Sequence, residues 1–249
     1  EEVNDAINGL TNKVGELGFA FVDIRPRINR NRKEKTIDVV FEINEGPRVF
    51  VERIDIVGNV RTQDRVIRRE FRLVEGDAFN SAKLRRSRQR IQNLAFFETV
   101  KVKRLPGSSP DKTVLRVDVE EKSTGQLSFG AGFSTTNGIL GDIGIVERNF
   151  LGKGQRVGLK LTIAALKSEI DFSFTEPFFL GREIRAGFDI FRVSQDLQDF
   201  SSFETDTTGF GLRGGYKITE DLRQDWRYTF KVSKVSSVSI TASPLIQTE

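Results

Sequence analysis

Apolar residues at the start of the chain recur first at the helical period and then at the strand period. Val3, Ile7, Leu10, Val14 and Leu17 are spaced by four, three, four and three residues, which draws one apolar stripe along a helix. Gly18 is placed to cap it. A strand is predicted from Phe19 to Ile28, a charged turn from Asn29 to Lys35, and a second strand from Thr36 to Ile43. Gly46-Pro47 then breaks the chain.

The same pattern returns at greater length. Arg48 to Val57 reads as a strand, with Ile54 and Ile56 on one face, ended by Gly58-Asn59. Thr62 is the expected cap of a short helix that turns Val66, Ile67 and Phe71 inward. Ser81 is the expected cap of a second helix carrying Leu84, Ile91 and Leu94. Phe96-Phe97 leads into a strand holding Val100 and Val102, and a turn from Pro106 to Lys112 returns it as Thr113 to Val119. Val14, Leu17 and Phe19 match Ile91, Leu94 and Phe96 at an offset of 77, so the unit is an internal repeat.

After Ser123 the helical spacing gives way to strict alternation, rich in Gly and Phe. About seven strands are legible. In the clearest, Val157, Leu159, Leu161 and Ile163 alternate with Arg156, Gly158, Lys160 and Thr162. A soluble sandwich also alternates. These segments, however, run to about ten residues, as a tilted membrane strand requires, and their polar faces carry Gly, Ser, Thr and charges of both signs. Phe150, Phe178 and Phe179 stand beside the turns, where interfacial aromatics belong. The links at Asn149–Gln155, Glu176–Gly181 and Ile218–Asp221 are short, and that from Ser194 to Glu204 is longer and acidic. Short turns at one end and longer loops at the other are a barrel's habit.

Composition narrows the chemistry. The 249 residues include no Cys and no His, which removes thiolate chemistry, disulfides, the commonest metal ligands and the commonest general base. No metal, cofactor or enzymatic activity is expected. No run of about 18 apolar residues exists, so membrane crossing by a helix is not expected. Residues 1–123 hold 25 Lys and Arg against 20 Asp and Glu, whereas 124–249 hold 14 against 15. The basic first half lacks an aromatic stacking platform, so nucleic acid is not an expected partner. The charge runs Arg25–Lys35 and Lys83–Arg90 read as solvated faces, or as surfaces near anionic lipid heads.

The tandem order β-α-α-β-β resembles the POTRA module. Glu147-Arg148-Asn149-Phe150-Leu151-Gly152-Lys153-Gly154-Gln155-Arg156-Val157 is similar to a turn between barrel strands of the outer-membrane insertase and translocase superfamily. Phe174-Thr175-Glu176-Pro177-Phe178-Phe179 resembles its next turn, Leu94-Ala95-Phe96-Phe97-Glu98-Thr99-Val100 resembles a junction in its last POTRA module, and Glu121-Lys122-Ser123-Thr124-Gly125 lies where that family crosses into its barrel. The fold class expected is α+β POTRA modules followed by an incomplete antiparallel transmembrane β-barrel. Residues 1–46 are expected to be a partial module without its first strand, 47–123 a complete one, and 124–249 the first strands of the barrel.

The resemblance implies a place in the bacterial outer membrane with the modules in the periplasm, and the insertion of β-barrel precursors without cofactors. Its partners are assembly lipoproteins, unfolded outer-membrane clients with their periplasmic chaperones, and outer-membrane lipid. The strand Gln126, Leu127, Ser128, Phe129, Gly130, Ala131, Gly132, Phe133, Ser134 is the expected client-templating edge. Its Gly and Ser residues either weaken pairing or relieve crowding in a curved sheet. Thr36–Ile43 is a second candidate edge for clients. Arg72, Glu75 and Asp77 are candidates for a lipoprotein contact, or form a solvated turn with Gly76 at positive φ. Two readings share parts of the pattern: a two-partner secretion or translocation-module transporter, and a passive outer-membrane channel.

Overall fold

The computed structural model describes residues 2–17, 22–31, 36–45, 48–219, 222–240 and 243. Two compact units divide the chain, Glu1–Lys122 and Ser123–Glu249. The expected Gly18 cap, the start of the strand at Phe19, the centre of the Asn29–Lys35 turn and Gly46-Pro47 lie outside the described residues.

The first unit opens with helix α1 (Glu2–Glu16), followed by strands β1 (Val22–Asn31) and β2 (Thr36–Glu45). These pair antiparallel from Val22 opposite Glu45 to Asn31 opposite Thr36. Val14 is buried as the apolar stripe requires. Leu17 is not: it lies past the helix, in a turn closed by its N–H on the Val14 carbonyl at 3.0 Å, and is 67% exposed.

The longer repeat contains β3 (Phe50–Val57), α2 (Asp64–Arg68), α3 (Ser81–Asn93), β4 (Phe97–Pro106) and β5 (Lys112–Glu121). The sheet order is β3-β5-β4, with β5 parallel to β3 and antiparallel to β4. The last strand in sequence is therefore the central one. Val51, Ile54, Val66, Ile67, Leu73, Ile91, Leu115 and Val117 meet between the sheet and the two helices. Each such side chain contributes about 1.5–3 kcal/mol when fully buried.

Two expected caps move. Asn80, not Ser81, caps α3, its Oδ1 accepting from Lys83 N at 2.8 Å, because the helix already begins at Ser81. Thr62 does not cap α2, which begins two residues later behind Gln63. Thr62 is instead buried, and its N–H donates to Glu121 at 2.7 Å across the sheet end.

The second unit is one open antiparallel sheet of seven strands in chain order: β6 (Gly125–Ser134), β7 (Gly138–Phe150), β8 (Gln155–Ala164), β9 (Lys167–Glu176), β10 (Ile184–Asp196), β11 (Glu204–Lys217) and β12 (Arg223–Ser236). The pairing register separates its faces into rows. Leu127, Ile145, Leu159, Phe172, Ile190, Phe210 and Phe230 lie in one continuous apolar row. Asp189 lies among Gly158, Ser173, Gly211 and Thr229 in a row of the opposite face. Alternation at period two thus survives registration of the whole sheet, because adjacent strands are in step.

The turns use left-handed backbone where the sequence supplies glycine. Gly152 and Gly154 have φ of 68° and 71° after Leu151 at 53° in the β7–β8 turn, and Leu180-Gly181 does the same after β9. The link after β10 is shorter than expected. That strand runs on to Asp196, and a turn of helix α4 (Gln198–Ser201) fills most of the remainder. No described helix is long and apolar enough to cross a membrane, which says nothing of strands.

Candidate functional site

Strand β6 ends the sheet: it pairs with β7 from Gly125 opposite Glu147 to Ser134 opposite Gly138, and its other edge has no partner among the described residues. The expected templating residues Gln126 to Ser134 all fall on it. Leu127, Phe129 and Phe133 project from one face and are 56%, 72% and 75% exposed. Apolar exposure of this kind calls for lipid or another protein surface.

The glycines of its opposite face do not all serve one purpose. A methyl group at Gly130 would run into the Asp142 carboxylate, and Ser128 Oγ donates to the Gly144 carbonyl at 3.3 Å. Gly130 and Gly144 therefore give room to cross-strand neighbours. At Gly132 a methyl would make only ordinary contact with Leu140, 3.5 Å away. Crowding accounts for Gly130 and not for Gly132.

The two ends of β6 are held differently. At the short-turn end, Thr124 Oγ1 donates to Glu147 Oε1 at 2.5 Å, Arg148 Nη2 to Gln126 Oε1 at 3.0 Å, and Arg148 N to the Thr124 carbonyl at 3.3 Å. Glu147 also accepts from Asn149 N, and buried Asn149 accepts from Gly154 N at 2.8 Å through Oδ1. Thus the turn motif singled out in the sequence anchors the start of the first strand. At the other end Ser134 Oγ accepts from the local N–H groups of Thr136 and Asn137, and from no other among the described residues. Sequence reasoning missed the anchor at the short-turn end, since its donors and acceptors lie 22 to 24 residues apart.

The loop holding Arg72, Glu75 and Asp77 is built against β3. Gly76 N donates to Val51 O at 2.7 Å, Val51 N to Asp77 O at 2.8 Å, and Phe79 N to Val49 O at 2.7 Å. Glu75 Oε1 accepts from Ile54 N and Arg68 Nη1, both at 3.1 Å, while Arg68 Nη2 donates to Ile54 O. Asp77 Oδ2 accepts from Val74 N, and Arg72 N donates to Ser87 Oγ. Gly76 has φ of 94°, as expected of a turn. Loop and side chains together cover the outer edge of β3, so two of the three charged groups already have work inside the module.

Among the described residues β2 pairs with β1 alone, which leaves the Thr36–Ile43 edge open, and the complete repeat offers a comparison. β2, which holds Thr36–Ile43, corresponds to β5, and β5 is flanked on both sides. The repeat's outer strand is β4, whose counterpart is β1. Pro26 in β1 fits an edge, because a proline cannot donate to a central ladder. Phe150, Phe178 and Phe179 fall at the β7–β8 and β9–β10 turns, and Phe150 and Phe179 are about two-fifths exposed.

The residues that pair POTRA-type repeats with an open barrel sheet are also recognised by family models. The POTRA model, described as a surface antigen variable number repeat, matches residues 1–46 and 49–122, and the Omp85 superfamily domain matches residues 149–247. The chain belongs to the Omp85 superfamily. It is 30% identical to the outer membrane protein assembly factor BamA of Neisseria meningitidis serogroup B over 225 residues, covering 88% of this chain and 28% of that relative. To BamA of Nitratidesulfovibrio vulgaris it is 30% identical over 240 residues, covering 96% and 30%. The chain thus spans less than a third of the length of these relatives. The crystal structure of BamA from Haemophilus ducreyi lacking POTRA domains 1–3 shares the fold, with a TM-score of 0.83 at 24% identity over 95% of this chain and 45% of that one. An Omp85 chain of this kind resides in the bacterial outer membrane, with its POTRA modules in the periplasm.

Proposed function

We propose that this chain is part of an assembly factor that folds and inserts β-barrel precursors into the outer membrane, with β6 as the templating edge. The observation that carries the reading is that β6, the first strand of the sheet, is anchored to β7 at its short-turn end and contains glycine beyond. An unpaired strand in hydrocarbon leaves amides unsatisfied at several kcal/mol each. An edge that accepts the client's first strand removes that cost pair by pair. The Thr124–Glu147 and Gln126–Arg148 contacts hold the start of β6 to β7 while its other edge takes the client strand. In this reading residues 1–46 belong to the penultimate module, 47–123 form the last one, and 124–249 begin the barrel.

The modules dock partners. β1 is the better candidate edge for extended clients and their chaperones, and the Arg72–Asp77 loop for an assembly lipoprotein. Phe150, Phe178 and Phe179 seat the turns at the lipid interface. The test is a disulfide tethering β6 to the last strand of the full-length barrel. Insertion of clients should stop when the seam is locked and resume on reduction; unimpaired insertion by the locked protein sinks the templating role.

A further inference from the structure

One row of the barrel sheet's polar face contains three arginines. The register sets Arg156 beside Thr175, Thr175 beside Gly187, Gly187 beside Arg213, and Arg213 directly opposite Arg227. The next row, Gly158, Ser173, Asp189, Gly211 and Thr229, supplies one carboxylate, and Asp189 is taken by Arg213 at 2.8 Å. On the other side, Asp225 is taken by Arg185. Arg156 and Arg227 have no acidic partner among the described residues. Like charges directly opposite across a ladder destabilise it unless an anion intervenes.

The wall around this row is low. Thr175, Gly187, Gly158, Ser173, Gly211 and Thr229 leave the volume that larger side chains fill in a closed small barrel. Arg213 already crosses Gly187, its Nη2 donating to the Phe174 carbonyl at 3.3 Å. The row lies at the short-turn end of the strands, close to Glu176 and Ile184, which is the periplasmic mouth.

We propose that Arg156, Arg213 and Arg227 form a seat for an acidic, extended polypeptide segment of a client entering from the periplasm. Guanidinium forks match carboxylates bidentately. Strands lie about 4.8 Å apart, so Arg156 and Arg213 stand about 14 Å apart across three spacings. An extended chain crossing the strands covers that span in about four residues. Carboxylates four positions apart therefore reach Arg156 at one end and, at the other, the open fork of Arg227 beside the Asp189-paired Arg213, while the backbone rests over Thr175 and Gly187. The inference rests on the assembly reading, since it takes the polar face as a lumen that clients approach.

The test uses the full-length protein in proteoliposomes, with p-benzoylphenylalanine replacing Thr229 beside the row. The probes are an unfolded synthetic peptide with Asp at every fourth position and its Asn counterpart. The acidic peptide should crosslink and the amide peptide should not. Labelling should fall at least about tenfold in Arg156→Gln/Arg227→Gln, which keeps the Arg213–Asp189 pair, and also at high salt. Equal labelling by both peptides, or none in a protein that remains heat-modifiable and inserts clients, overturns the seat alone. An adduct confined to the protein's own chain overturns it too, because the seat is then filled from within. Crosslinking without client insertion upholds the seat and removes the assembly reading.

Discussion

The ring of Phe191 lies over Gly209 on the polar face of the barrel sheet: a methyl group at Gly209 would sit 2.5 Å from Phe191 Cζ and 2.7 Å from the Phe230 carbonyl. Aromatic cover of a strand glycine restores packing that the glycine lacks. Gly209→Ala should therefore cost about 1–3 kcal/mol, since the carbonyl belongs to a neighbouring strand and cannot step aside. Phe191→Ala, with a half-buried ring, should cost no more than about 2 kcal/mol. Urea unfolding of the full-length protein, followed by its heat-modifiable mobility, checks both. A neutral Gly209→Ala would mean that the strands separate easily at this row.

Glu75 holds the edge of β3 through Ile54 N and Arg68. Glu75→Gln keeps an acceptor and should leave the module intact. Glu75→Lys removes the acceptor and faces Arg68, so the module should lose about 1–3 kcal/mol. Hydrogen exchange at Ile54 should accelerate in the Lys variant and stay slow in the Gln variant. If lipoprotein recovery falls in both while Ile54 exchange changes in neither, Glu75 contacts the partner directly.

Glu121 links the end of β5 to the start of the helical segment, accepting from Arg61 N at 2.9 Å and Thr62 N at 2.7 Å. Burial pushes its carboxyl up, but the hydrogen bonds from Thr62 and Arg61 outweigh this and hold it below its ordinary value of 4.5. A depressed folded value means that the unfolded chain takes the proton more readily. The stabilisation is therefore full above pH 4.5 and is lost as pH falls through the lower folded value. Acid titration should show wild type more stable than Glu121→Gln at neutral pH and the difference vanishing in acid. A difference that grows as the pH falls would reverse the assignment.

Asn149 closes the β7–β8 turn from inside, where its Oδ1 is the acceptor for Gly154 N. Asn149→Ala leaves that N–H without its partner, at about 1–3 kcal/mol. The backbone N–H of residue 149 still reaches Glu147 in this variant, so the anchor on Thr124 loosens only through the opened turn. The folded, heat-modifiable fraction of the full-length protein should fall, and the Arg148 amide, which donates to the Thr124 carbonyl, should exchange faster. Unchanged exchange at Arg148 would separate the turn from the anchor.

The sequence alone determined the elements and their faces. Local period is a property of neighbouring residues, so α1, α3 and the seven alternating strands were legible from spacing. The repeat at an offset of 77 was legible for the same reason. Tertiary structure decided what depends on residues distant in the chain. It placed β5 at the centre of its sheet, between β3 and β4. It gave Glu75 and Asp77 internal partners along β3, which spacing cannot reveal. It set Arg156, Arg213 and Arg227 in one row, because register, not sequence distance, fixes what lies beside what in a sheet.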